Sequence, residues 1–382
     1  MLIMDVLKGP EQWRHLIKLW REAGCSEKEA RLLAGRHASV AISLSGSVSD
    51  EFTRQALREG LTVWQANGST HLAGSVTALL ALLMRWPGDT DVRLAQELAA
   101  AFDVPWSWDP GLLGSSIPML MGILNTTPDS FSDGGRFATV EKAVRRALEM
   151  VEQGAQIVDV GGESTRPGSS GVSVEEELRR VIPTIRAIRE QSDVLISIDT
   201  QKPEVAEQAL DAGANWINDI SGLRNPDMLA LAARTKAPVV IMHMQGTPQT
   251  MQRNPQYQEV VADVLSWLED TCQRAERAGL SRKQLIIDPG IGFGKTTEHN
   301  LELLKRLRDF RVLGYPVLIG TSRKSVIGNV LNLPVDQRLE GTAATVSVAV
   351  WEGADVIRVH DVLAMRRVID MTQAMKQGGS QA

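Results

Sequence analysis

The chain has 382 residues, and 41 Lys plus Arg stand against 46 Asp plus Glu for a formal net charge of −5. That balance gives no general electrostatic case for binding nucleic acid or an anionic membrane, so any anion site has to be local. Two cysteines, Cys25 and Cys272, lie far apart without metal-like spacing, which suits a reducing compartment better than a disulfide scaffold.

The start, MLIMDVLKGPEQW, lacks a basic region followed by a sustained apolar core, and no run of about 18 apolar residues occurs. A cytoplasmic protein with no membrane partner is expected. Pro10–Gly24 and Glu27–His37 carry helical patterns, VAISLSGSV and LTVWQA have strand composition, and Ser75–Trp86 and Val92–Phe102 again suit helices. Together they predict a small α+β domain over residues 1–113, with the Trp-, Pro- and Gly-rich stretch Val104–Gly114 as a linker or docking segment. Its role is unread, because no grouping of His, Cys and carboxylates in it points to chemistry.

Residues 114–382 repeat one pattern: a short apolar run ends on a polar residue and a helical pattern follows. Eight such runs occur: Ile117–Leu124 ending at Asn125, Gln156–Val158 at Asp159, Val194–Ile198 at Asp199, Trp216–Ile217 at Asn218 and Asp219, Pro238–Met242 at His243, Leu285–Ile287 at Asp288, Val317–Ile319 at Gly320, and Asp355–Ile357 at Arg358 and His360. Eight strands alternating with helices predict an α/β fold, a (β/α)8 TIM barrel, in which residues at strand C-termini converge on one mouth.

Asp199, Asn218, Asp219, Asp288 and Lys324 would meet there. Carboxylates, an amide and an ammonium suit a flat heterocycle with an amino-amide edge. A hard cation is the competing occupant, although a lysine in the set argues for neutralisation by the protein itself; helix capping suits Asp219 better than Asp199 or Asp288. Arg323, Lys324, Ser325 and Arg358–Asp361 follow strands seven and eight, where barrels often hold phosphate, unless Arg358 merely pairs with Asp361 or Asp159. His243 is read as structural and His299 as a solvated helix start, and GIGFGKT lacks the spacing of a phosphate loop. The long polar connections Asn125–Gly135 and Gly161–Ser173 read as lids.

MGILNTTPDSFSDGG, DVGGESTRPG, SIDTQKPEVA, INDISG, MHMQGTPQTMQ, IIDPGIGFGKT, IGTSRKS and IRVHD, in this order, make the chain resemble dihydropteroate synthase from roughly Ile117 to Met375. The resemblance implies that 6-hydroxymethyl-7,8-dihydropterin diphosphate is joined to p-aminobenzoate with loss of diphosphate, with Mg2+, in a homodimer, the p-aminobenzoate place being the one for which sulfonamides compete in the family. It assigns the pterin to Asp199, Asn218, Asp288 and Lys324, and the diphosphate to Asn125, Arg358 and His360, with Asn125 also serving the magnesium. Thr165 and Arg166 are implied to contact substrate, Ser325 and Arg323 to lie at the p-aminobenzoate end, and Phe131, Asp133 and Pro167 to close that pocket. Asp199, Lys324 and Arg358 are the implied catalytic groups. A methyltransferase acting with a corrinoid partner is the alternative in this architecture, but it should lack the SRKS and STRPG loops; a non-catalytic scaffold should have lost polar residues at the mouth. The first hundred or so residues depart from the usual pattern, as does Thr126 where many members carry valine. Thr342–Trp351, a mostly apolar helix, is a candidate dimer face, with core packing as the other explanation of its pattern.

Overall fold

Strands buried on both sides lose the polar alternation of a half-exposed sheet and become almost continuously apolar. That is the character of the runs around which the second half of the chain is built. The computed structural model describes residues 3–6, 14, 17, 18, 21, 26, 27, 30, 31, 40–45, 48–58, 61–66, 69–74, 118–126, 136–164 and 171–376.

The strands β5 (Met119–Asn125), β6 (Ile157–Gly161), β7 (Leu195–Asp199), β8 (Trp216–Asp219), β9 (Val239–Met242), β10 (Leu285–Asp288), β11 (Leu318–Ile319) and β12 (Val356–Val359) form one eight-stranded sheet in the order β10-β9-β8-β7-β6-β5-β12-β11. All neighbours are parallel, and a parallel bridge from Ile287 to Val317 joins the two ends into a barrel. The barrel expected from the sequence is therefore present. Register sets one rim: Asn125 pairs with Gly161, Gly161 with Asp199, and Asp199 with Asn218.

The crossovers are α2 (Arg136–Glu152), α3 (Val174–Arg189), α4 (Pro203–Asp211), α5 (Pro226–Thr235), α6 (Val260–Arg277), α7 (Thr297–Lys305), then α8 (Ser325–Leu331) with α9 (Leu339–Trp351), and α10 (Val362–Lys376). Their ends follow local chemistry. In α3, Ser173 accepts from Glu176 N at 3.2 Å, Glu175, Glu176 and Glu177 occupy the first turn, and Arg186 and Arg189 the last, so side chains complement the helix dipole at both ends.

A second compact unit comprises Met1–Asp109 with Tyr257–Ser266 and Arg308–Gly314. It contains an antiparallel sheet, β1 (Ile3–Val6), β2 (Val40–Ser45), β4 (Ser69–Gly74) and β3 (Thr62–Ala66) in that order, and helix α1 (Asp50–Arg58). The unit is α+β. Phe52 and Ala56 of α1 are buried with Leu61 and Leu72, and Trp64 stacks on His71 with centroids 5.3 Å apart. The sequence pattern found β2 and β3 but passed over α1 and β4, although Asn67-Gly68 between β3 and β4 is a strong two-residue hairpin signal. The expected segments Ser75–Trp86, Val92–Phe102 and Val104–Gly114 lie outside the described residues, as do most of Pro10–Gly24 and Glu27–His37.

Candidate active site

The mouth is held by a buried charge cluster. From β12, Arg358 reaches past β5: its Nε donates to Asp159 Oδ2 on β6 and its Nη2 to Asp199 Oδ2 on β7, each at 2.6 Å. Asn218 Nδ2 donates to the same Asp159 oxygen at 3.1 Å. Asp159 is fully buried, while the Asp199 side chain keeps 10% exposure. The pairing of Arg358 with Asp159, an alternative at the sequence level, is thus real, but it is half of a clamp that also takes Asp199.

Two carboxylates share one guanidinium, and the electrostatics follow. Burial pushes the Asp199 carboxyl up to about 7, against the pull of Arg358 and with added repulsion from Asp159. Burial also raises Asp288, opposed by Lys324 and by the Gly290 N–H that donates to Asp288 Oδ1 at 2.7 Å. The Lys324 amine is pushed down to about 8 by burial, with Asp288 pulling it up and Arg358 pushing it down. Arg358 is raised despite burial, because Asp159 and Asp199 favour its charge. Asp288 also acts on Arg358, and Asp288, Arg358 and Asp199 act on Lys324, so the charged groups of β7, β10 and β12 and the lysine that follows β11 belong to one rim.

Several polar atoms of this rim are buried without a protein partner among the described residues: Asp159 Oδ1, Asp199 Oδ1 and Ser197 Oγ. Buried acceptors left open carry a desolvation cost of about 1–3 kcal/mol each, which a ligand N–H would relieve. Lys324 Nζ donates to Ile291 O at 2.5 Å and lies 4.7 Å from the centre of the Phe293 ring. Phe293 in turn packs on Ile220, Met242, Met244 and Met251, an apolar wall suited to one face of a flat ring.

The other candidate residues divide. Asn125 ends β5, half-buried, and Thr126 beside it donates its hydroxyl to Gly161 O at 3.1 Å. His360 Nδ1 lies 3.0 Å from Ser322 Oγ, and its backbone N–H donates to the same oxygen at 3.2 Å. Arg323, left-handed at φ 58°, points its guanidinium at Asp361, with Nε and Nη2 on the two carboxylate oxygens at 2.9 and 2.5 Å. Ser325 is exposed at the first position of α8. Asp219 accepts from Ser221 N, Ser221 Oγ and Leu223 N at 2.8, 3.0 and 2.8 Å, so it closes the turn after β8. Thr165, Arg166, Pro167, Phe131 and Asp133 lie outside the described residues.

Sequence reasoning underrated three groups. Asp159 entered as the end of a strand and as a partner for Arg358, not as part of the site. Lys202 binds Glu163 Oε2 at 2.7 Å and also Glu177, whose side chain is fully buried. Lys295 was passed over with the rejected phosphate loop, yet it is buried against His243. His299, read as solvated, is half-buried: its Nδ1 accepts from Thr296 N at 3.3 Å in a capping box.

A (β/α)8 barrel with acid, amide and cation gathered at one mouth defines a small-molecule enzyme of the pterin-binding kind, and the chain belongs to the pterin binding enzyme family, whose profile matches residues 121–360. Within that family its similarity runs to dihydropteroate synthases. The enzyme of Haemophilus influenzae is 49% identical over 262 residues, 69% of this chain and 95% of the relative. A dihydropteroate synthase structure from Xanthomonas albilineans with 4-aminobenzoic acid superposes with a TM-score of 0.65 at 46% identity, covering 68% of this chain and 94% of the other. The same organism's enzyme in complex with 7,8-dihydropteroate gives 0.63 at 44% identity over the same shares.

Proposed function

We infer that the chain is a dihydropteroate synthase, a transferase that joins 6-hydroxymethyl-7,8-dihydropterin diphosphate to p-aminobenzoate to give 7,8-dihydropteroate and diphosphate in folate biosynthesis. The observation that carries this reading is the set of buried, open acceptors on Asp159 and Asp199, in one charge cluster with Asn218, Asp288 and Lys324, with Lys324 seated over Phe293 of an apolar wall. A pterin supplies ring and exocyclic N–H donors to the acids and acceptors to the lysine. The relatives' bound 4-aminobenzoic acid and dihydropteroate support the same pair of substrates.

In the reaction the C–O bond from the pterin methylene to the diphosphate breaks, the amine nitrogen bonds to that carbon, and the amine gives up a proton. Asp199 would stabilise the positive charge that grows on the pterin, and Arg358 and His360 the charge that departs with diphosphate. Lys324 would hold the ring's polar edge. We assign Arg323 and Ser325 to the p-aminobenzoate end, with Phe131, Asp133 and Pro167 closing it, and Thr165 and Arg166 to contacts with substrate, on family resemblance.

Among the described residues no three His, Cys, Asp or Glu side chains form a metal cluster. The donor set still fits magnesium in one way: Asn125 offers a neutral amide oxygen beside the diphosphate site, and Mg2+ commonly takes most of its other ligands from phosphate and water. When bound there it would neutralise charge on the leaving group.

We further assign residues 1–113 to a separate domain and 114–382 to the catalytic barrel, in a cytoplasmic enzyme that works as a homodimer; no described helix is long and apolar enough to cross a membrane. The test is diphosphate release on mixing the pterin diphosphate with p-aminobenzoate, with and without Mg2+. Release that needs both substrates is expected. Pterin binding without such release would favour a corrinoid-linked methyltransferase or a non-catalytic binder.

A further inference from the structure

The segment Asp288–Lys295, DPGIGFGK, bends back on itself with glycines at positive φ in alternation: Gly290 (71°), Gly292 (83°) and Gly294 (63°). Its carbonyls are then tied down one after another. Ile291 O accepts from Lys324 Nζ at 2.5 Å and Gly292 O from Gln252 Nε2 at 2.8 Å. Gly290 O and Phe293 O both accept from Lys295 Nζ, each at 3.0 Å. The same amine lies 3.0 Å from His243 Nδ1 and 3.4 Å from His243 O, so it also ties this segment to the end of β9.

Lys295 is only 3% exposed. Its amine is enclosed by backbone carbonyls and imidazole, so its bonds are spent on holding the chain. Everything it grips, however, bears on groups that do face the mouth. Gly290, whose carbonyl it holds, donates its N–H to Asp288 Oδ1. Ile291, one residue on, supplies the carbonyl that receives Lys324, and Phe293 supplies the ring beneath the Lys324 ammonium. Burial and Lys324 push the Lys295 amine down to about 7 while Asp288 pulls it up, so the two lysines and the acid sense one another. His243 is likewise held well below the usual imidazole range, by burial first and Lys295 second.

We propose that Lys295 is a positioning residue for the transferase: by clamping Gly290 and Phe293 to His243 it sets the place of Lys324 and Asp288, and thereby pterin affinity, without touching the pterin. The proposal rests on the pterin reading above. It is tested by a double-mutant cycle in the full-length enzyme, with 6-hydroxymethylpterin binding as the readout and Lys295→Met combined with Lys324→Met. Alone, Lys295→Met is expected to weaken pterin binding by about ten-fold, and in the Lys324→Met background by only about three-fold, because the route through Lys324 is then gone while that through Asp288 remains. The Lys295→Gln amide can still donate to two carbonyls, so it should lose less with the same dependence on background; it takes the place of Lys295→Met should that variant fail to fold. Equal losses in both backgrounds would overturn the proposal and leave Lys295 a general support of the barrel. No loss of pterin binding on Lys324→Met alone would instead sink the pterin reading.

Discussion

Asp199 carries two demands that pull against each other. It has to be anionic where a cation grows on the substrate, yet its site is dry enough to lift its carboxyl to about 7. Lys324 has the opposite demand, cationic in a place that lowers it to about 8. The working form, with Asp199 ionised and Lys324 protonated, exists above the first value and below the second. kcat/KM for the pterin diphosphate is therefore expected to follow a bell with limbs near these two values, measured across pH at saturating p-aminobenzoate. Asp199→Asn removes the acid limb. It should also lower the single-turnover rate by roughly a hundred-fold, the usual cost of losing one group that meets developing charge, while pterin affinity falls by less than about ten-fold. Equal losses in rate and affinity would contradict that role. The linkage to stability has its own sign. The folded state holds the Asp199 proton more tightly than the unfolded chain, so the contribution of this group is largest below about pH 4 and declines as pH rises to about 7. Asp199→Asn should for that reason narrow the gap in melting temperature between pH 5 and pH 8.

At the scale of elements, the barrel was legible because its strands are buried along most of their length and most run into a charged, amide or imidazole residue, a pattern that survives without knowing any contact. What stayed hidden was whatever depends on partners distant in sequence. Lys295 finds its partner His243 52 positions away, and three of the four partners named above are backbone carbonyls, which have no sequence signature. Asp159 was hidden for a different reason: it sits within β6, where a carboxylate reads as the end of an apolar run, and its meaning appears only when Arg358, 199 positions on, crosses to meet it. Arg323 was expected near an anion, and its two bonds to Asp361 show that a cation after one strand can equally be spent on the loop after the next. The tightness of the turn after β10 gives a direct test. A Cβ on Gly290 would lie 1.9 Å from His243 O at a φ of 71°, whereas one on Gly279, at φ 101°, meets nothing within 4 Å. Gly290→Ala is expected to cost about 3 kcal/mol from clash and strain together and Gly279→Ala about 1 kcal/mol from strain alone. Chemical denaturation of the two variants measures this, and only the first should lose pterin binding. Similar costs for both would mean that the approach of β9 and β10 is looser than the geometry describes.

At the scale of the whole molecule, the exposed apolar side chains of the last two helices bear on assembly. Val348 and Trp351, three apart on α9, are 43% and 46% exposed, and Met371 and Met375, four apart on α10, are 61% and 54% exposed. Spacings of three and four put each pair on one side of its helix, and α9 and α10 are packed neighbours. Single exposed apolar side chains are ordinary, but two pairs on adjacent helices are the kind of surface a second copy covers in a twofold dimer. The rim groups Asp159, Asp199, Asn218, Asp288, Lys324 and Arg358 all come from one chain, so separating the copies should leave the chemistry in place. Two charged substitutions together, Trp351→Arg and Met371→Arg, are expected to convert a dimer into a species of 41.7 kDa by light scattering while kcat stays within about two-fold. Like charges brought together across such a face cost several kcal/mol, enough to separate micromolar dimers. A wild-type chain that already runs as a monomer at tens of micromolar, or a double variant that remains dimeric, would remove these helices from the interface.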